Sequence, residues 1–367
     1  MHRLSGFMRT YWSRGEPGRA TPRSLAVFMQ RMWIAALTFK LLRSSWDVSW
    51  HFKWLRDDLA GAHILNTVGT GIAIGLVLAH TFTGYGTDRR SLRIMHVGTG
   101  IFVLAGPIDV INHRVNGLDI TAWSATHALL YLGTAVMLAG VVRGWWLYGP
   151  ERLRTPVLVL LWLFVLENVW FAAQQQEYGV LAVAAWDRGA PEAEPILLQF
   201  AADQLGRPVD RMAVLHFALP VPAWVYPIWL IAAAGLVLVL ARWMIGRRWA
   251  ATAVAAGYVA YRCAAWMLLV GVDFPPSAVP FALLAVAVAV DLAFLLGRLP
   301  DIVRPLIGAV LVGAAAAGGL WLQQEWLVVP PVDVPSLLTG TLVLAAAWIG
   351  AVLLVRSARF RRWARAH

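Results

Sequence analysis

Residues 217–241 read FALPVPAWVYPIWLIAAAGLVLVLA and contain no charged side chain. An α-helix rises 1.5 Å per residue, so about 20 apolar residues cross the roughly 30 Å hydrocarbon core of a bilayer. The segment meets both the length and the hydropathy that a membrane crossing requires. It therefore predicts a transmembrane helix.

Similar apolar stretches occur along the whole 367-residue chain. The composition agrees with this, because 59% of the residues are hydrophobic and 14% are charged, against about 25% charged in soluble domains. We predict an all-α fold, a polytopic integral membrane helical bundle of about ten transmembrane helices. The ten predicted spans are residues 25–45, 62–82, 93–113, 125–148, 154–174, 217–241, 249–271, 278–297, 304–326 and 337–355.

The loops between these spans alternate in charge. Every second connection and both ends are rich in Arg, whereas the other connections carry Asp and Glu. Because cytoplasmic loops are enriched in Arg and Lys, both termini are expected in the cytoplasm. Nearly all basic residues are Arg, as in high-GC bacterial genes, so we expect a bacterial plasma membrane. The predicted organisation is a basic cytoplasmic N-terminus (1–24), a four-helix region (25–148), six further transmembrane helices with an outer loop at 175–212 (149–355), and a basic cytoplasmic tail (356–367).

The charge and the cysteine content restrict the classes of partner and site. The net charge is +11, but the basic residues are spread over short loops and form no single basic face, so nucleic acid is not an expected partner. The expected partners are the lipid bilayer and either additional membrane subunits or further copies of the chain. Cys263 is the single cysteine, which excludes an intramolecular disulfide and a cysteine-based metal site. Any bound metal must use His and carboxylate ligands.

Two stretches of the chain repeat one pattern of Asp and His. Residues 46–69 read WDVSWHFKWLRDDLAGAHILNTVG, and residues 108–133 read IDVINHRVNGLDITAWSATHALLYLG. In each, an Asp is followed four residues later by a His, and a second His opens the next predicted helix. Side chains four residues apart share a helix face, and the antiparallel neighbour brings the second His beside them. The two predicted sets are Asp47, His51 and His63, and Asp109, His113 and His127.

Each set offers two imidazoles and one carboxylate. These donors suit copper, zinc or iron, and three protein ligands leave coordination positions open. Ionisable side chains at membrane depth are costly and generally functional, which favours a metal site. The alternative interpretation is that the groups cap helix ends and hydrogen-bond one another at the wet interface. The pattern identifies no catalytic residue.

The same residues, together with Gly106 and Pro107, resemble the C subunit of the copper membrane monooxygenases, the particulate methane and ammonia monooxygenases. The likeness covers residues 45–135, and Asp109 stands where that family has Asn. It implies that both sets are copper ligands. It also implies an oxidoreductase that acts on a small or lipophilic substrate with partner subunits in the membrane.

Two functions therefore remain open from the sequence. The first is a metal-dependent oxidase or monooxygenase-like component with copper as cofactor, zinc or iron being the alternatives. The second is a non-enzymatic membrane protein that binds, senses or transports a metal ion.

Four further ionisable residues lie in or beside the predicted spans. Arg262 and Asp291 are predicted to pair with each other inside the bundle, since intramembrane charges normally face inward and find partners. His80 and His96 would suit a haem clamped between helices, but satisfied interfacial histidines are the preferred interpretation.

Overall fold

The structure is a computed structural model that describes residues 10–55, 57, 59–116, 124–297, 299–300 and 302–357, except for the side chains of residues 113–116. This described part is helical and contains no β-strand, which confirms the predicted all-α class. It forms two compact units, one within Met1–Val169 with Val272–Phe274, and the other within Trp170–Gly271 with Pro275–His367.

Twelve helices make up the described chain, and one of them contains a six-residue π-helical turn. They are α1 (Arg23–His51), α2 (Gly61–Thr83), α3 (Arg89–Asn116), α4 (Ala125–Tyr148), α5 (Glu151–Asp187), α6 (Pro195–Gln204), α7 (Arg211–Ala218), α8 (Val225–Ile245), α9 (Ala250–Val270), α10 (Ala282–Leu295), α11 (Val303–Gln324) and α12 (Val334–Arg356).

Among the described residues, nine of these helices are long and apolar enough to cross a membrane. Each overlaps one of the ten predicted spans, but the span predicted at 217–241 is wrong at its start, because its membrane-length helix begins at Val225 after the separate helix α7. The remaining predicted span, residues 278–297, contains α10, which has only 14 residues and a length of about 21 Å. The protein is therefore a multi-pass membrane protein by its helix lengths and composition.

Contacts inside the second unit show the direction of the short helix α10. Thr252, near the start of α9, donates to Asp291 near the end of α10, with an Oγ1–Oδ2 distance of 2.8 Å. Gln323, at the end of α11, accepts a hydrogen bond from the backbone of Ala282 at the start of α10. The helix α10 is thus antiparallel to both neighbours and returns the chain between them, in agreement with ten crossings.

In the first unit, α1 pairs with α2 and also reaches α3. The Lys40 ammonium on α1 donates to Asn66 at 3.0 Å and to Thr70 at 3.1 Å, both on α2. It also lies 4.7 Å from the ring centroid of Phe102 on α3. The first three helices therefore pack as neighbours.

The helices α3 and α4 approach each other closely along small residues. A Cβ atom at Gly133 would lie 2.6 Å from the backbone nitrogen of Phe102, and one at Gly140 would lie 2.7 Å from the carbonyl oxygen of Ser91. Only glycine permits this spacing. Close backbone approach at small residues is how membrane helices gain packing energy without a hydrophobic drive between them.

The structure corrects two expectations for the second half of the chain. Helix α5 continues to Asp187 and not to residue 174 as predicted, and the segment 175–212, expected to be a partly helical cap, contains this helix end, α6 and the start of α7. The predicted pair of Arg262 with Asp291 is wrong. Arg262 pairs with Glu177 at 2.6 Å, and Asp291 pairs with Arg242 at 2.9 Å.

The Glu177 carboxylate explains why Arg262 does not pair with Asp291. It is fully buried and also accepts from the indole of Trp170 at 2.9 Å, so it supplies a prepared site for the Arg262 guanidinium. A buried charge is stable only when it is paired and hydrogen-bonded. The buried Asp291 carboxylate is likewise paired with Arg242, near the end of α8, and accepts a hydrogen bond from Thr252, near the start of α9.

Candidate metal site

The site lies where α1 ends and α2 begins. Asp47 and His51 occupy the last turns of α1 on one face, and His63 lies in the first turn of α2. Gly61 allows the two helix ends to meet, because a Cβ atom there would overlap the indole ring of Trp46. The three residues spaced in this way along the sequence thus meet at the end of the first helical hairpin where α1 and α2 are connected.

The three predicted ligands of this set come together. Their ligand atoms all lie within 4.8 Å of one another. Asp47 Oδ1 is 2.8 Å from His63 Nε2 and 3.8 Å from His51 Nε2. For metal–ligand distances of about 2.0–2.2 Å, neighbouring ligand atoms lie roughly 3.0–3.5 Å apart. The two distances in the structure lie just below and just above this range.

Hydrogen bonds orient His63 and define which nitrogen faces Asp47. The Nδ1 atom of His63 lies 2.5 Å from the carbonyl oxygen of Asp57, to which it must donate. In the neutral ring the Nε2 atom then carries a lone pair and points at the carboxylate. A hydrogen bond from the far nitrogen to a carbonyl is the usual support for a metal-bound histidine.

Asp47 Oδ1 lies at the centre of the cluster. It is buried, and His63 Nε2 is only 2.8 Å away. Two lone pairs facing each other at this distance repel. Either a proton on the imidazole or a metal ion between the two atoms removes the repulsion. The donor set therefore fits a divalent cation.

Arg43 holds the other carboxylate oxygen of Asp47. Its Nη2 atom lies 2.7 Å from Asp47 Oδ2, one helical turn below the site on α1. Arg43 also hydrogen-bonds the Tyr131 side chain on α4 and interacts with Glu167 on α5. Asp47 is therefore fixed from one side, and its Oδ1 atom is directed at the two histidines.

The exposure of the three side chains increases towards His51. The side chain of Asp47 is 9% exposed, that of His63 is 18% exposed and that of His51 is 33% exposed. The Asp47 carboxylate is the most buried ligand of the site, and solvent reaches the site on the side of His51.

Aromatic side chains pack around the same helix end. The ring of Phe274 lies 5.0 Å from that of Trp54, 6.2 Å from that of Trp50 and 6.5 Å from that of Trp46. Asp273, next to Phe274, pairs with Lys53 at 2.7 Å. These Trp residues, which lie at a predicted helix end, thus pack on one another and on the 272–274 segment.

The second predicted set is described in part. Asp109 is buried and accepts from the Thr126 hydroxyl at 2.6 Å, and His127 Nε2 lies 3.7 Å from the same carboxylate oxygen. His113 falls within α3, but its side chain lies outside the described residues. Asp109 and His127 are therefore neighbours as predicted, and the position of the third member stays a prediction.

The two histidines considered for haem binding have protein partners. His80 is buried, donates from Nδ1 to the carbonyl of Tyr85 at 2.8 Å, and accepts from the Trp33 indole at 3.0 Å through Nε2. His96 Nε2 lies 2.7 Å from the Thr81 hydroxyl. Both ring nitrogens of His80 are thus used, and the interpretation of satisfied histidines agrees with the structure.

Sequence reasoning missed two groups that shape the site. Arg43 precedes Asp47 by four residues, so the helical spacing that links Asp47 to His51 also places Arg43 beside the carboxylate. That signal was present in the sequence. The carbonyl of Asp57 was not detectable, because backbone groups carry no sequence pattern.

Comparison of the chain with protein-family models, curated proteins and solved structures found no match.

Proposed function

We propose that the protein holds one divalent transition-metal ion at Asp47, His51 and His63, in a site at one end of its first helical hairpin. The observation that carries this proposal is the cluster of three ligand atoms around the buried Oδ1 atom of Asp47. Copper is the favoured ion because the residues resemble the copper sets of the membrane monooxygenases. Zinc and iron use the same donors.

The protein side of the site is arranged for a fixed ion. Arg43 engages one oxygen of Asp47 and leaves the other for the metal, while the Asp57 carbonyl fixes the ring of His63. Three protein ligands leave open positions, and a copper ion there would supply redox chemistry with oxygen. This supports the proposed role as an oxidase or monooxygenase-like component that acts on a small or lipophilic substrate.

The charges below the site argue against passage of a metal ion through the hairpin. Arg43 and Lys40 follow Asp47 inward along α1, and Lys40 is held by the neutral groups of Asn66 and Thr70. The positive charge of the Arg43 guanidinium repels a cation, most strongly where water does not screen it. A fixed binding site is therefore favoured over the transport alternative.

Metal analysis of the detergent-purified protein tests the proposal. We expect close to one copper ion per chain and an electron paramagnetic resonance signal with imidazole nitrogen splitting. His51→Ala and His63→Ala should each lower the copper content strongly, because each removes one of three ligands. The matched control is His96→Ala, which removes a histidine bonded to Thr81 outside the cluster.

Two outcomes would contradict the proposal. If both cluster variants retain the copper content of the wild type, the three residues are not ligands. If the wild type binds no copper, zinc or iron after incubation and gel filtration, the cluster is a polar helix cap.

A further inference from the structure

A buried carboxylate on α5 lies outside the proposed set of metal ligands. Glu167 is 3% exposed and belongs to the apolar run LWLFVLENVW at 161–170. Ionised side chains at membrane depth are costly, so they normally face the protein interior and pair with an opposite charge. The position of Glu167 therefore calls for a cation nearby.

Arg43 on α1 is this cation, and two carboxylates share it. The guanidinium is attracted by Glu167 and hydrogen-bonds the Tyr131 side chain on α4. Its Nη2 atom also lies 2.7 Å from Asp47 Oδ2. One guanidinium thus links a ligand of the proposed metal site to a buried carboxylate on another helix.

Tyr131 shows that these groups form one cluster. It is hydrogen-bonded by Arg43 and lies within electrostatic reach of both Asp47 and Glu167. The cluster joins α1, α4 and α5 inside the first unit. Glu167 does not belong to the group of ligand atoms that lie within 4.8 Å of one another, so it can act on a metal ion only from outside the ligand set.

The charges of the cluster determine how strongly Asp47 attracts a metal ion. Arg43 and Asp47 alone form a neutral pair, in which the guanidinium competes with the metal for the carboxylate. An ionised Glu167 adds a second negative charge, so one guanidinium and two carboxylates carry a net charge of −1. Because the Coulomb energy is proportional to the charge of the ion, this net charge favours a divalent ion over a monovalent one.

We propose that Glu167 is a positioning residue of the metal site, whose carboxylate offsets the charge of Arg43 and so leaves the charge of Asp47 to the metal. This inference rests on the proposed function. For copper, it means that Glu167 stabilises Cu(II) relative to Cu(I) and lowers the reduction potential of the bound ion. The three ligands hold the ion, and Glu167 sets which oxidation state is held more tightly.

Redox titration of the copper-loaded, full-length protein in detergent tests this role, with the electron paramagnetic resonance signal of Cu(II) as the readout. Glu167→Gln should still bind one copper ion per chain, because all three ligands remain. Its affinity for Cu(II) relative to Cu(I) should fall about tenfold, which raises the reduction potential by about 59 mV. A purely structural role of Glu167 would lower the melting temperature without this shift.

Two control variants separate the charge of Glu167 from its packing. Glu167→Asp keeps the charge, so its affinity ratio should stay within about threefold of the wild-type ratio. Asp88→Asn removes another buried carboxylate, which pairs with Arg143 at the end of α2 opposite to His63, about 30 Å of helix away. It should leave the potential unchanged, because its charge is far from the site.

A second route avoids a buried arginine without its full set of partners. Arg43→Met removes the positive charge and should lower the potential, since Cu(II) gains most from the loss of a nearby cation. Adding Glu167→Gln in this background removes the opposite charge and should return the potential towards the wild-type value. This pair of variants gives an answer even where Glu167→Gln alone does not fold.

The outcomes distinguish this inference from the proposed function. A wild type that binds no copper would overturn both. Copper binding with the wild-type potential in Glu167→Gln, or no difference between Arg43→Met and the double variant, would overturn the role of Glu167 and leave the metal site intact. An equal shift in Asp88→Asn would also overturn it, because the effect would then not depend on the cluster.

Discussion

At the scale of single residues, the two oxygens of Asp47 have different roles. Oδ2 is paired with Arg43 at 2.7 Å, and Oδ1 faces the two histidines. The helical spacing of Asp47 and His51 and the position of His63 after a short loop were sufficient to predict this cluster. Arg43 binds Oδ2 and thereby leaves Oδ1 for the histidines. The sequence could not predict which oxygen faces which partner, because this depends on the directions of the side chains.

The first prediction concerns Arg43→Met. This change leaves Asp47 as a buried carboxylate without its cation, and breaking such a pair costs about 3–5 kcal/mol. A divalent ion bound at Asp47 would replace the lost charge. We therefore expect a lower melting temperature without metal and a larger rise on copper addition than in the wild type, measured by tryptophan fluorescence in detergent.

Arg31→Met is the control for this change, because Arg31 is an exposed residue of the same helix. It should melt like the wild type and respond equally to copper. A copper-induced shift in Arg43→Met that is no larger than that of the wild type would contradict the role of Asp47 as a shared ligand of arginine and metal.

The second prediction concerns Asp88, between α2 and α3. Burial alone would raise the pKa of Asp88, but hydrogen bonds from Ser91 and Arg143 outweigh it and hold the pKa below its usual range. A depressed pKa contributes stability above the unfolded-state value of about 3.9, and this stability is lost as the pH falls through the folded-state pKa. The contribution of Asp88 to the free energy of unfolding should therefore decrease below about pH 4.

Asp88→Asn should remove this contribution. At pH 6 the variant should melt below the wild type, and the difference should shrink as the pH falls towards 3, because the wild-type carboxyl then becomes neutral as well. Melting curves of both proteins across this range check the expectation. A difference that stays constant with pH would show that Asp88 acts by packing and not by its charge.

At the scale of helices, the glycine contact between α3 and α4 gives the third prediction. Gly133→Val would force a side chain against the backbone of Phe102 and should separate the two helices, at a cost of about 1–3 kcal/mol or more. A lower melting temperature and reduced recovery of monodisperse protein on gel filtration are expected. Gly100→Val, on the same pair of helices, should behave like the wild type, and equal loss in both would contradict the contact.

The positions of most helices followed from hydropathy, whereas the end of α5 did not. Gln174, Gln175, Gln176 and Glu177 resemble a polar exit from the membrane, yet all four are buried. Glu177 is paired with Arg262, and the Gln176 side-chain amide donates to the carbonyl of Pro222, both far away in sequence. A local pattern cannot distinguish a polar residue that meets water from one that meets a distant buried partner.

At the scale of the whole molecule, the alternation of basic and acidic connections predicts the orientation in the membrane. The connection that contains Asp187 and Glu194 precedes α8, and the one that contains Arg247 and Arg248 follows it. One crossing separates the two connections, so they should lie on opposite sides. The positive-inside rule places the Arg-containing connection in the cytoplasm.

The last prediction tests this orientation with single cysteines. Cys263→Ala gives a cysteine-free background, and Ala190→Cys and Arg247→Cys introduce thiols at exposed positions on either side of α8. A membrane-impermeant maleimide should label position 190 in intact cells and position 247 only in inverted vesicles. Labelling of position 190 only from the cytoplasmic side would invert the predicted orientation. Labelling of both positions from one side would mean that α8 does not cross the membrane, although its 21 residues span about 30 Å.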